Sequence, residues 1–261
     1  MANTSGAVAN IMYDTTSGNR LSTILGVDIT VPGSSSSAVN YTMKSAGAAL
    51  DPAVNVPGAI VLDNTFGCTG AGCTPVSGFI HMDNAATLAT TGDAVTAGIL
   101  TAGTGITLRG VSSGARGVVS TGAMSTTSGD VIIVGYTIAA AQRAIDFSTA
   151  SSIYATAGNI SITGGKNVAA TSTTLYLVGA SETSPLIFSA FGNIDIVGYA
   201  LSSNTSVNYG ANNLIVAGGN ITLAGRGAGG TLYGAVEFTP AVIRAGGNLT
   251  IRGADLSLIH I

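Results

Sequence analysis

Short runs of this chain alternate between apolar and polar residues, and the alternation returns. In 159–164, NISITG, Ile160 and Ile162 flank Ser161 and the run closes on Gly164. Ile194/Ile196 around Asp195, Ile221/Leu223 around Thr222 and Leu249/Ile251 around Thr250 repeat it, closing on Gly198, Gly225 and Gly253. Val131/Ile133, Ile106/Leu108 and Ile29/Val31 are weaker versions upstream. A period of two predicts a β-strand with one buried and one wet face. Six residues before each closing corner stands another apolar side chain: Ile99, Ile153, Ile187, Leu214 and Val242. Three residues before it the position is small: Ala102, Thr156, Ala190, Ala217 and Ala245. A second strand therefore runs into a corner at Gly-Asn, and the first strand leaves it.

The corner asparagines are Asn159, Asn193, Asn220 and Asn248, at intervals of 34, 27 and 28 residues. Asp130, Gly105 and Asp28 stand in the asparagine's place upstream. A wandering interval of this kind predicts one supersecondary unit, repeated, with insertions tolerated in its loops. Gly and Asn suit a corner that needs left-handed backbone angles. When repeats stack, Asn159, Asn193, Asn220 and Asn248, with Asp130 as a substitute, can bond to one another as a ladder. A single repeat cannot bury its apolar side, so it needs a neighbour above and below. The predicted fold is all-β, a right-handed parallel β-helix with rungs of about 25–30 residues. Roughly nine turns at a strand spacing of about 4.8 Å would make a rod near 45 Å long. A sandwich or up-and-down barrel would need hairpins, and a left-handed hexapeptide helix would need a six-residue apolar period, which is absent.

The expected organisation is an irregular N-terminal part over 1–98 with a loop insertion at 54–78, then regular repeats over 99–255. The tail 256–261, LSLIHI, reads equally as one more strand or as a non-native extension. No polar cap is recognisable after the Asn248 rung, which predicts an open end prone to end-to-end association.

Composition narrows the function classes. Only 8% of the 261 residues are charged, 37 are glycine, and the net charge is −3. The nine Lys and Arg are scattered, so no basic face for nucleic acid can be assembled. Mean hydropathy is +0.50, yet no apolar run reaches the 18 or so residues of a membrane helix. The first 20 residues lack the basic and apolar regions of a signal peptide, and the chain is expected to be a piece of a longer one.

GGNITLAG, GGNLTIRGADL and AGNISITG resemble the haemagglutinin-type repeats of large secreted adhesins of Gram-negative bacteria. These include filamentous haemagglutinin-like two-partner exoproteins and, more loosely, autotransporter passengers. The resemblance covers about residues 99–256 and weakens over 1–98. It implies a β-helical stalk displayed outside the cell, working in adhesion or as a spacer. It further implies surface glycans or proteins of host or neighbouring cells as partners, and an outer-membrane transporter during secretion. No cofactor is expected. Neither the N-terminal secretion domain nor the C-terminal barrel of such proteins is recognisable in these residues, as is expected of a stalk fragment.

Candidate chemistry is sparse. Cys68 and Cys73, in a Gly-rich stretch, read as a small-loop disulfide in an oxidising compartment, with free thiols as the alternative; a metal site would have only His81 to recruit. Parallel β-helices also house polysaccharide lyases and hydrolases, which need clustered carboxylates. The twelve acids here are isolated, and Asp83, Asp93, Asp130 and Asp195 would have to converge through rung register. In that enzyme reading Asp83, Asp93, Arg109 and Arg116 come first. Asp130 and Asp28 read as corner residues, Asp195 as a solvated group, and His81 and His260 as ordinary side chains. Arg109 and Arg252 share a repeat position and could flank an anionic glycan, although a solvated face explains them too. Asn159, Asn204, Asn220 and Asn248 begin N-x-S/T sequons, most of which the repeat itself generates. An ice-binding helix would show an unbroken Thr-x-Thr row, and the outward residues are too mixed for one.

Overall fold

In a computed structural model the described residues are the strands Ala9–Thr15, Ile29–Thr30, Val39–Ser45, Val54–Val56, Ala59–Asp63, Pro75–Val76 and Phe79–Ile80, and most of 93–255. The gaps within 93–255 are 98, 113, 121, 148–150, 167–172, 178–185, 201–206, 210–212, 228–235 and 239–240. The fold is a parallel β-helix. Three parallel sheets run along it, with nine, eight and six strands, called here the long, middle and short sheets.

From Val95 to Asp255 the chain visits short, middle and long sheets in constant order. The short sheet takes Val95–Ala97, Val118–Ser120, Ile145–Phe147, Leu175–Leu177, Val207–Tyr209 and Val236–Phe238. In this stretch the middle sheet takes Leu100–Ala102, Met124–Thr126, Ile153–Ala155, Ile187–Ser189, Asn213–Ala217 and Ala241–Ala245. The long sheet takes Gly105–Ser112, Val131–Thr137, Ile160–Lys166, Ile194–Ala200, Ile221–Gly227 and Leu249–Asp255. Because every strand pairs with its counterpart one rung away, like residues stack. Ile106, Val131, Ile160, Ile194 and Ile221 form one buried column. Ile145, Leu175 and Ile187 face them from the other two sheets. Removing this much aliphatic surface from water is the main force holding a chain with few charges in one coil.

The middle sheet departs from expectation by one residue in some rungs. Ile187 stacks on Ile215 and Ile215 on Ile243, not on Leu214 and Val242. In the first regular rung it is Leu100 that stacks on Met124, while Ile99 is 65% exposed. Corner length is the reason. Four residues, 190–193, join Ser189 to Ile194, but only three, 218–220, join Ala217 to Ile221. Counting back from the asparagine therefore lands one place too early wherever the corner is shorter.

Two roles given to glycine also change. Among the described glycines only Gly105 has a positive φ, +154°, so left-handed angles do not explain the corner glycines. Close approach does: a β-carbon on Gly158 would lie 2.0 Å from the carbonyl oxygen of Gly129 in the rung before. Nor do the strands end at the closing glycine, since Ile160–Lys166 runs two residues past Gly164. That glycine faces inward, where a β-carbon would meet Leu175 Cδ1 at 2.2 Å. Here the long sheet meets the short one.

Upstream, the phrase at Asp28 is not a copy of the corner, because its strand Ile29–Thr30 belongs to the middle sheet. The N-terminal strands of the long sheet are Ala9–Thr15, Val39–Ser45 and Ala59–Asp63. Val54–Val56 and Ala59–Asp63, inside the stretch 54–78 expected to be a loop insertion, are both rung strands. Pro75–Val76 and Phe79–Ile80 then form an antiparallel hairpin, and Phe79–Ile80 lies against Val131–Thr137 and Ile160–Lys166.

Candidate functional site

Polar chemistry collects in three places. The first is the Gly-Asn corner. Asp130 Oδ1 accepts the backbone N–H of Asn159 at 2.7 Å and its side-chain amide at 3.2 Å. Asn159 Oδ1 accepts the same pair of donors from Asn193, at 2.9 and 3.2 Å. The backbone N–H groups of Asn220 and Asn248 continue the line, each donating at 2.8 Å to the asparagine oxygen one rung below. The rung beneath Asp130 offers Gly105, which has no side chain to receive an amide proton. A carboxylate, which only accepts, suits that place better than an amide would. The glycine before each asparagine lets the rungs close to this distance.

The second place is an array of ion pairs along the outside of the short sheet. Arg116 donates from Nε to Asp93 Oδ1 at 3.0 Å and from Nη2 to Asp93 Oδ2 at 2.7 Å, a two-pronged grip. Its Nη1 reaches Asp146 Oδ2 at 3.0 Å. Arg143 Nη1 bonds both oxygens of Asp146 at 3.1 Å, and its guanidinium lies 3.7 Å from the centre of the Tyr176 ring. Hydrogen bonding to Asp93, opposed by partial burial, holds Arg116 still further above its ordinary range. Asp146 is almost sealed from water, and such a carboxylate persists because two guanidinium groups satisfy it.

The third is Lys166, fully buried at the inward end of its strand. Its Nζ approaches the carbonyl of Ala140 at 3.5 Å. Burial, helped by the Arg143 charge, pushes its ammonium down to about 7. Thr137 occupies the same inward position one rung below, and Ala200 one rung above.

The sequence candidates fall as follows. Asp93 and Arg116 meet, in the array with Asp146. Asp195 stands apart from them, exposed on the long sheet between Ser161 and Thr222, and partial burial raises its carboxyl. Arg109 and Arg252 share a row, but Val134, Thr163, Val197 and Ala224 separate them, so they do not flank one ligand. Asp28, Cys68, Cys73, His81, Asp83, Asn204 and His260 lie outside the described residues, as does the tail 256–261. No group of three or more His, Cys, Asp or Glu side chains stands together among the described residues. Sequence reading missed Asp146, Arg143 and Lys166. Their only signal was the rung register, which places Asp146 next to Val119 and Tyr176.

The chain matches no family model, no curated protein and no solved structure.

Proposed function

We propose that this chain is a rod-forming segment of a large exoprotein, secreted or displayed at a bacterial surface, that serves as an adhesive stalk or spacer. Its partners would be glycans or proteins of a facing cell surface, and its route outward an outer-membrane transporter. One observation carries the reading: polar side chains are committed to joining rung to rung. The asparagine line ties successive corners, and Arg116 ties Asp93 to Asp146 across rungs. A stalk needs that longitudinal joining, whereas a hydrolase needs carboxylates free to exchange protons. Support also comes from the repeated GGNITLAG-type phrases.

The test compares two activities of the purified chain. Immobilised glycans and intact cells should retain it, and acidic polysaccharides incubated with it should release neither reducing nor unsaturated ends. The reading fails if sugar is released and Asp93→Asn or Arg116→Gln abolishes that release. That outcome would establish instead a β-helical polysaccharide-processing module centred on the array.

A further inference from the structure

The outer face of the middle sheet carries aromatic rings that the core does not use. Each three-residue strand there turns its first and third side chains inward and its second outward. In register, the outward row reads Thr101, Ser125, Tyr154, Phe188, Val216 and Arg244. Tyr154 and Phe188 are half-buried, with ring centroids 5.9 Å apart and planes tilted by 50°. Phe191 stands at the corner of the same rung as Phe188 and is 77% exposed. Small residues flank it: Ala157 is its counterpart in the rung below, and Gly218 lies over it, where a β-carbon would be 3.0 Å from the Phe191 α-carbon. A phenylalanine this exposed adds almost nothing to the core.

Two rungs beyond Phe188 the row carries a cation. The alternation that sets Ile243 and Ala245 against the core turns Arg244 outward, and it is exposed. Arg116 and Arg143 are held by carboxylates, but Arg244 forms no ion pair among the described residues. No acidic side chain stands in the row. On the other side of the rings, the hydroxyls of Ser125 and Thr101 lie 3.4 Å apart.

Such a strip suits a long, thin ligand. The backbone groups of these strands are spent on the rungs above and below, so an extended peptide finds no edge to pair with on this face. A globular partner needs about 800 Å² of surface, more than a row with one outward side chain per strand supplies. A chain of pyranose sugars needs neither. Each sugar has an apolar C–H face that stacks on an aromatic ring, hydroxyls around its rim, and a length close to the rung spacing of about 4.8 Å.

We propose that the outer face of the middle sheet docks a linear acidic glycan lying along the helix axis. Consecutive sugars stack on Tyr154 and Phe188, and Phe191 bounds them on the corner side. A uronate carboxylate two sugars further on pairs with Arg244, and the Ser125 and Thr101 hydroxyls bond to sugar hydroxyls at the other end. This assignment rests on the adhesive reading above and gives it a ligand class and a face.

Affinity electrophoresis of the 261-residue chain tests it, in gels containing polygalacturonate or alginate, each as the free uronate and as its methyl ester. At least one uronate should retard the chain, less so as salt rises, and its ester should retard it more weakly. Replacing both rings, Tyr154→Ser with Phe188→Ser, should weaken binding by about tenfold or more. Phe191→Ser and Arg244→Gln should each weaken it by about threefold, and Arg244→Gln should flatten the salt dependence. If the double variant does not fold, the two single variants decide, since both side chains are exposed. No retardation by either uronate, equal retardation by uronate and ester, or variants that bind like the wild type overturn the proposal. Retention on cells that these variants keep also overturns it and leaves the stalk reading standing. Retention that they lose, but that survives enzymatic removal of the cells' glycans, puts a protein on the row and overturns it as well. Sugar released from a polymer that the variants bind more weakly supports the strip and rejects the stalk.

Discussion

The corner between the middle and long sheets and the one between the long and short sheets obey different rules. At the first, the connection is two to four residues in the regular rungs, as in 103–104, 218–220 and 190–193. The same Gly-Asn chemistry recurs there. At the second, the connection runs from five residues, 113–117, to eight, 228–235. Its chemistry changes too, from the Ser112 hydroxyl accepting the N–H groups of Gly114 and Ala115 to the buried amine of Lys166 beside Ala140. The link from short to middle sheet is equally loose, two residues at 239–240 and nine at 178–186. A wandering repeat interval is therefore absorbed around the short sheet. The lesson is mechanical. A stack needs one edge where every rung repeats the same contacts, and the other edges are then free to vary, because lengthening a surface loop costs little.

The sharpest way to break this contrast is at a corner glycine. Gly158→Ala places a methyl against the Gly129 carbonyl and should cost about 2–4 kcal/mol in chemical denaturation. A neutral result would mean that the rungs are not held at this spacing. Next comes Arg116→Met, which strips Asp93 of its partner and leaves the buried Asp146 with Arg143 alone. About 2–3 kcal/mol of destabilisation is expected by the same measurement, with part recovered by adding Asp93→Asn.

Lys166→Met should act in the opposite direction and stabilise by about 1–3 kcal/mol at neutral pH. The folded protein holds the Lys166 ammonium near 7, below the ordinary 10.5 of an unfolded chain. Between those values the unfolded state binds more protons, so the wild type gains stability as pH rises from about 7 to 10.5. Denaturation midpoints across that window should climb less steeply in the Met variant; parallel profiles would contradict the burial argument. Asn220→Val removes the oxygen that receives the Asn248 N–H. At this exposed edge water replaces part of the bond, so a loss of about 1 kcal/mol is expected. Smallest of all, four Gly-Ser residues inserted within 228–235 should cost under about 0.6 kcal/mol. The same insertion between Gly218 and Asn220 should prevent a cooperative transition.

Much of the fold was legible along the chain. The phrase Asn-Ile-x-Ile carries its own register, because alternation and corner sit within nine residues, and stacking then follows from apolar surface that one rung cannot bury. The sequence by itself thus determined the parallel β-helix, the long-sheet strands from Gly105 onward and the alignment of Asp130 with the four asparagines. It did not determine the phase of the middle sheet. Whether Leu214 or Ile215 turns inward depends on a corner one residue shorter, and an alternating strand that slips by one exchanges its faces. Nor could it assemble the ion-pair array, since Asp93, Arg116 and Asp146 lie 23 and 30 residues apart, about a rung each, and have no local pattern. Only the stacking of unequal rungs decides which side chains become neighbours across them. The same holds for Gly158, whose need for a bare α-carbon comes from the rung before and not from its own backbone angles. Local periodicity is a property of a strand, but closeness between rungs is a sum over every loop that lies between them.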